Sequence, residues 1–347
     1  MLNGVYSPYK AAHHIDRIIA LRKGELIYPT QIQIDLTNKC NHRCIYCFSK
    51  YTIGNTFENM YVDTKAMFKL LDDAVKLGIK SFHYTGGGEP FLHKNIYEIL
   101  LKTVSNNLEY GMVTNGSLID FKNSHILKKM AWVRISLDAS DADMYYKLRG
   151  VHDFDKVIDT VKEFSSKCPH TILGLSFVVN PINYTQIVEF VKLGKKLGVS
   201  NTRFSIAWSP KGWDDLDELH EVCELIEEAK LLQTDKFRVF DLTKGRLDNF
   251  TTKGKEYDLC GYQHFTTTIG ADSIVYPCCT IKYNPEASYG SLKDNSFQEI
   301  WEGERRRQWL KKDYLSDICS KNICWMQEKN KFIGYLIQEN PKHVNFI

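Results

Sequence analysis

Cys40-Asn41-His42-Arg43-Cys44-Ile45-Tyr46-Cys47 places three thiols within eight residues, directly after the β-rich run Gln31–Leu36. Soft thiolates bind zinc or iron–sulfur clusters. The number of ligands is the informative feature. A structural zinc site is closed by a fourth ligand, and His42 or His83 could supply it. A [4Fe–4S] cube takes one ligand per iron, so three cysteines leave one iron open. An open position is where chemistry happens. Spacing alone leaves both readings standing.

The sequence on either side sets the fold. Further β-rich runs follow at Lys80–Thr85, Glu109–Thr114, Trp132–Leu137, Thr171–Val179 and Thr202–Ala207. They are rich in Ile, Val, Phe and Tyr and end near Gly, Asn or Asp, as strands do. Helix-period stretches separate them, among them Thr64–Leu77, Ile96–Val104, Phe154–Ser165 and Tyr184–Leu197. Strand–helix alternation implies βαβ units and a parallel sheet. Six repeats suit a partial, TIM-like (β/α)6 barrel. After about residue 250 the pattern changes. Phe265–Ile269 and Ser273–Tyr276 flank Gly270-Ala271-Asp272, which reads as a hairpin. Phe297–Lys311 reads as one charged helix and Trp325–Gln338 as another. The expected organisation is an α/β chain: a helical extension over 1–29, a barrel core over 30–245 and a small C-terminal domain over 246–347. That last domain has little apolar mass of its own, and a metal would help to hold it together.

The first cysteine cluster and the landmarks after it resemble the radical S-adenosylmethionine (SAM) superfamily. Its signature is a CxxxCxxC loop with an aromatic residue before the last Cys, the place Tyr46 fills. The resemblance implies a [4Fe–4S] cluster on Cys40, Cys44 and Cys47 whose open iron chelates SAM. It implies reductive cleavage of SAM to a 5′-deoxyadenosyl radical that takes a hydrogen atom from the substrate. Gly86-Gly87-Gly88-Glu89-Pro90 follows the second strand and resembles the GGEP motif that holds the SAM amino group. Gly87 and Gly88 allow close backbone approach, and the Glu89 carboxylate suits an ammonium. Thr114-Asn115-Gly116 ends the third strand at the place of the family's TNG motif. In Arg134-Ile135-Ser136-Leu137-Asp138, Ser136 and Asp138 match residues that contact the ribose hydroxyls, and Arg149 sits where the family places an Arg against the SAM carboxylate. Most of these lie at strand C-terminal ends, where ligands gather in parallel α/β folds. The resemblance covers residues 30–210.

The tail carries a second thiol set. Seventeen residues separate Cys260 from Cys278, forty separate Cys278 from Cys319, and four separate Cys319 from Cys324. Four cysteines on separate loops can close either a zinc or an iron–sulfur site. Beside a radical SAM core, the run Thr268–Cys279 and the helix around Phe297–Trp301 resemble the twitch or SPASM auxiliary-cluster domain. A full SPASM domain has cysteines for two clusters, whereas this tail has five cysteines. One auxiliary [4Fe–4S] cluster is therefore expected, relaying electrons. The last spacing is CxxxxC rather than the usual CxxC, and Cys279 is a spare thiol that could replace Cys324.

Composition narrows the remaining classes. The 347 residues are 43% hydrophobic and 25% charged with a formal net charge of +3, too little to argue for nucleic acid or an anionic membrane as a partner. No apolar run approaches the roughly 20 residues that span a bilayer, and Met1–Leu26 carries no signal-peptide core. A cytoplasmic location follows as the expectation, and there ten cysteines favour metal ligation over disulfides. Among other residues, Cys223 reads as a buried thiol on the apolar stripe of Leu216–Leu231, with hydrogen-atom donation as its functional alternative. Cys168 reads as incidental, His13-His14 as a solvated helix, and Glu304-Arg305-Arg306-Arg307 as an exposed helix face. Relatives with an auxiliary domain oxidise or epimerise sugars and aminocyclitols, or crosslink and epimerise ribosomal peptides. Residues 1–29 are short for a peptide-recognition domain, which tilts the expectation towards a small molecule. A reductant such as flavodoxin or ferredoxin is the implied partner. A non-catalytic zinc protein is the competing class.

Overall fold

The computed structural model describes residues 7–49, 59–207, 216–243, 257–311 and 317–338. The strands are β1 (Gln31–Asp35), β2 (Ser81–Thr85), β3 (Glu109–Thr114), β4 (Trp132–Ser136), β5 (Ile172–Val179), β6 (Asn201–Ile206), β7 (Arg238–Asp241), β8 (Thr266–Ile269), β9 (Ile274–Tyr276) and β10 (Gly290–Ser291). They form one sheet in the order β10-β9-β8-β1-β2-β3-β4-β5-β6-β7. β1 through β7 pair in parallel, each with the next in sequence. The six expected strands are present, with bounds shifted by a residue or so. The seventh, β7, went unseen in the sequence. Four residues with a charge at each end give too short an alternating pattern to register.

Period-two alternation gives the sheet two different faces. Ile32, Ile34, Phe82, Tyr84, Tyr110, Met112, Val133 and Ile135 are buried in the main hydrophobic core. The rings of Phe177, Phe190 and Phe204 meet there at centroid distances of 4.7 to 6.1 Å. Many residues of the other parity are polar or small, among them His83, Gly111, Arg134, Ser136, Gly174, Ser176 and Arg203. At Gly111 the missing side chain makes room for the Trp132 indole, since a Cβ there would lie 2.0 Å from its Cε2. A Gly111→Ala substitution is expected to destabilise the fold by about 1–3 kcal/mol through overpacking. Urea unfolding checks this.

The helices over the apolar face include Thr64–Lys76, Ile96–Ser105, Phe154–Lys167 and Ile187–Lys196. Asp63 caps the first through Ala66 N at 2.8 Å. Asp141 caps the helix Ala142–Arg149 in the same way, and Gly150 ends it in the left-handed region at φ 67°. The right-handed crossovers of a parallel sheet bring the loops after β1, β2, β3 and β4 to one edge.

The C-terminal segment differs from expectation in three ways. Its hairpin is present, but β8 pairs in parallel with β1, so the hairpin extends the barrel sheet. Its apolar mass is not small. Phe297, Ile300, Trp301 and Trp309 belong to the same core as the barrel, and Trp301 Nε1 donates to Ile27 O at 2.8 Å. The expected helix Phe297–Lys311 is two helices, Phe297–Trp301 and Glu304–Lys311, broken at Gly303. This turns Arg306 inward. It is 2% exposed, with its guanidinium 3.9 Å from the Trp301 ring centroid, whereas the charge run alone suggested a solvated face. Cys223 is also corrected: it is exposed on the helix Leu216–Lys230, where Val222 and Ile226 take the buried positions. Cys168 is buried. His13 ends a 3-10 helix, Pro8–His13, that packs near the C-terminal helix Gln327–Ile337. The boundary at 245/246 lies outside the described residues.

Candidate functional site

The cluster loop is held by every loop that surrounds it. Its backbone docks on the end of the helix Ala142–Arg149, with Arg43 N donating to Arg149 O at 2.9 Å and Ile45 N to Leu148 O at 3.0 Å. The glycine run after β2 lies against it so closely that a Cβ on Gly88 would meet Lys39 O at 2.0 Å. Glu89 N donates to the same carbonyl at 2.8 Å. From the β3 loop, Asn115 Nδ2 donates to Asn41 Oδ1 at 2.8 Å, and Asn41 Nδ2 donates to Ser117 Oγ at 2.9 Å.

Two buried carboxylates organise this edge. Glu89 accepts from Thr114 Oγ1 and Asn115 N, both at 2.7 Å, and from Phe91 N at 3.1 Å. Burial pushes its pKa up, and these donors oppose the rise. A Glu89→Gln substitution aims an amide N–H at donors. It is expected to cost about 1–3 kcal/mol in urea unfolding and to weaken SAM binding. Asp138 is fully buried, at φ 63°. It accepts from Val178 N at 2.7 Å and Tyr46 Oη at 2.6 Å, and pairs with Arg149. Arg149 Nη1 then lies 3.6 Å from Cys44 Sγ. A chain of contacts therefore runs from the end of β4 to a cluster cysteine.

These residues enclose a cavity of about 570 Å3. Cys40, Cys44 and Cys47 line it, together with Tyr46, Gly87, Gly88, Glu89, Asn115, Ser136, Asp138 and Arg149. The structure thus brings every sequence-nominated SAM residue to one wall. Burial pushes the Cys40 thiol up to about 11, so bound iron would supply the positive charge that keeps it ionised. His42 does not complete a zinc set. Its Nδ1 lies 3.4 Å from Arg149 Nη1 and its Nε2 3.4 Å from Asp153 Oδ2. Burial, then the Arg149 guanidinium, lowers it to about 4. His83 is on the sheet, edge-on to Trp132 at 5.0 Å. Among the described residues, no three His, Cys, Asp or Glu side chains converge on a single ion. A cubane asks for something wider, one thiolate on each of several irons, and three cysteines around a cavity fit it.

The second thiol set gathers between the hairpin and the last helix. Burial raises Cys260 to about 12 and Cys278 well above its ordinary value, and each thiol feels neighbours in the set: Cys319 and Cys324 for Cys260, and Cys279 for Cys278. Tyr257 Oη donates to Cys324 Sγ at 3.1 Å, and Asn330 Nδ2 lies 3.9 Å from it. Donors of this kind are what an ionised, metal-bound thiolate accepts.

Several residues in and around the cavity had no assigned role in the sequence. Asn41, which ties the cluster loop to the β3 loop, had no signal, being one polar residue in a loop. Ser176, Arg134 and Arg203 line the cavity. The signal for the arginines was there: a charge at alternate positions of an otherwise apolar strand points to the second face of the sheet.

Comparison with known proteins gives the family. The family described as the radical SAM superfamily matches residues 34–194, and an iron–sulfur cluster-binding domain matches residues 260–325. A probable GTP 3′,8-cyclase of Saccharolobus solfataricus is 32% identical over 218 residues, covering 60% of this chain and 68% of that protein. A GTP 3′,8-cyclase of Clostridium acetobutylicum is 31% identical over 171 residues, covering 48% and 53%. Among solved structures, Streptococcus suis SuiB bound to S-adenosylmethionine aligns with a TM-score of 0.66 at 18% identity, covering 86% of this chain and 71% of that one. Native anSMEcpe with bound AdoMet aligns with a TM-score of 0.62 at 16% identity, covering 89% and 96%.

Proposed function

This chain belongs to the radical SAM superfamily, and from that premise we propose that it removes a hydrogen atom from a small polar substrate in the cavity beneath Cys40, Cys44 and Cys47. Its cofactors are SAM and [4Fe–4S] clusters. When bound, the three-cysteine cluster supplies the electron that splits SAM into methionine and a 5′-deoxyadenosyl radical.

The chain's own residues bind and orient. Cys40, Cys44 and Cys47 would hold three irons of the cluster and leave the fourth without a protein thiolate. The glycine run keeps side chains out of the space beside Lys39, and Glu89 with Asn115 fixes the edge at which the SAM amino group would sit. Ser136 lines the cavity, where its hydroxyl accepts from Ser176 Oγ at 3.4 Å and can still donate to a ribose hydroxyl. Asp138 accepts from Tyr46, Arg149 and Val178, so beside the ribose contact that the resemblance implies we assign it a positioning role. Arg149 meets the SAM carboxylate or, through Asp138, sets the loop that does. Cys260, Cys278, Cys319 and Cys324 would hold the auxiliary cluster, which would offer an electron acceptor if the net reaction is an oxidation; an epimerisation or rearrangement leaves the substrate at the same oxidation level and would not call on it. A sugar or aminocyclitol type of substrate fits the polar cavity wall, and the GTP cyclases among the relatives support a small molecule. Cysteines that ligate clusters suit a reducing compartment, the cytoplasm, and a flavodoxin- or ferredoxin-type donor. Among the described residues no helix is long and apolar enough to cross a membrane.

The single observation that carries this reading is the three cysteines on the wall of the same cavity as Gly88, Glu89, Asn115 and Ser136. The test is anaerobic reduction with SAM. 5′-Deoxyadenosine is expected, with a yield that rises when a true substrate is added. Zinc in place of iron, with no SAM cleavage, would overturn the reading.

A further inference from the structure

Two side chains outside the cysteine set are aimed at its sulfurs. Gly261 lets the Cys260 loop lie directly on the last helix, since a Cβ there would stand 2.3 Å from Ile333 Cγ2. That contact brings Asn330, three residues before Ile333 and 1% exposed, beside the thiols. The Asn330 amide has a fixed orientation. Its Oδ1 accepts from Tyr262 N at 2.9 Å, and a backbone N–H can face only the oxygen end of an amide. The Nδ2 end is therefore turned to sulfur, 3.9 Å from Cys324 Sγ. Burial pushes the Cys260 thiol up to about 12, and a hydrogen bond from the Asn330 side chain opposes that rise. From a third segment, Tyr257 Oη donates to Cys324 Sγ at 3.1 Å.

Core filling does not account for an amide here. Ile333 and Phe265 are buried in the apolar cluster nearby, and a buried Asn is costly unless its polar atoms are used. Both ends of this one are used, and one end is used on sulfur. A cluster gains a negative charge on reduction. N–H and O–H groups aimed at its sulfurs stabilise the reduced form more than the oxidised form. The place also borders the chemistry. Trp325, the residue after Cys324, lines the SAM cavity and stands edge-on to Phe48 with ring centroids 6.3 Å apart.

We propose that Asn330 and Tyr257 are positioning residues that act through Cys324 and Cys260 to raise the reduction potential of the auxiliary cluster. The inference rests on the reading of Cys260, Cys278, Cys319 and Cys324 as ligands of one cluster, and deepens it. A higher potential makes that cluster the better electron acceptor. Among the outcomes open to this chain, it favours oxidation of the substrate.

The experiment is an anaerobic redox titration of the reconstituted full chain, followed by electron paramagnetic resonance with and without SAM. The signal that SAM leaves unchanged reports the auxiliary cluster, and the signal that SAM alters is the internal control. Asn330→Leu and Tyr257→Phe are each expected to shift the auxiliary midpoint potential to a more negative value. Both should keep about eight irons per chain, and the control potential should stay where it is. An auxiliary potential equal to or above that of the wild type, in a variant that keeps its iron, overturns the proposal. So does an equal shift of both signals. If Asn330→Leu falls to about four irons, Tyr257→Phe decides alone. Loss of the auxiliary iron from both variants overturns the proposal, because the two donors would then hold the ligands in place rather than set a potential. A wild-type chain with about four irons and a single signal overturns the reading of the second thiol set beneath it, whereas about eight irons with unshifted potentials in the variants overturn this inference alone.

Discussion

Replacing Cys44 by serine is expected to reduce 5′-deoxyadenosine formation to background. Three thiolates are the fewest that hold a cubane with one iron open, and a hydroxyl is a poor ligand for iron in this setting. The rest of the protein should survive. The auxiliary thiols lie on separate loops between the hairpin and the last helix, and the core contains Phe297, Trp301 and Trp309 without help from a metal. The wild-type chain should carry about eight irons and Cys44→Ser about four, with unchanged far-ultraviolet circular dichroism. Iron and sulfide analysis together with product assay reads both numbers. Cys223→Ser, at an exposed site outside the cavity, is the matched control and should keep all its iron.

The second large effect belongs to the Arg149–Asp138 pair. Both groups are almost fully buried, at 4% and 0% exposure. Removing one partner strands a charge, which typically costs about 3–5 kcal/mol. Arg149→Met leaves Asp138 with Tyr46 Oη and Val178 N as its remaining donors. Stability in urea is expected to drop by that amount, and SAM affinity with it, because the same guanidinium lies 3.6 Å from Cys44 Sγ in the cluster loop. The double variant Arg149→Met/Asp138→Asn removes both charges and is expected to recover a good part of the stability. A double variant as unstable as Arg149→Met would mean that the loss comes from packing rather than from an uncompensated charge.

Most of the barrel could be read directly from the chain, because alternation of β-branched and aromatic residues with polar ones marks β1 to β6 individually. The residues nominated for SAM line one cavity, since parallel strands send all their C-terminal loops to one edge. What the chain concealed depended on tertiary pairing. Nothing local announces that β8 lies beside β1, so the tail read as a separate, poorly filled unit. Arg306 read as solvated because a charge run carries no sign of the break at Gly303 that turns it onto Trp301. Cys223 read as buried because it borders a stripe whose true inner positions are Val222 and Ile226. The partners of Asp138 were hidden for a similar reason. A motif says which residue stands at a strand end, but not that its oxygens are already taken by Tyr46, Arg149 and Val178.

Electron–nuclear double resonance on the reduced protein, with isotopically labelled SAM, tests the whole account most directly. Labels in the SAM amino and carboxylate groups are expected to couple magnetically to the cluster held by Cys40, Cys44 and Cys47, as direct ligands of its fourth iron. Absence of coupling, with a protein nitrogen or sulfur occupying that iron instead, would contradict it.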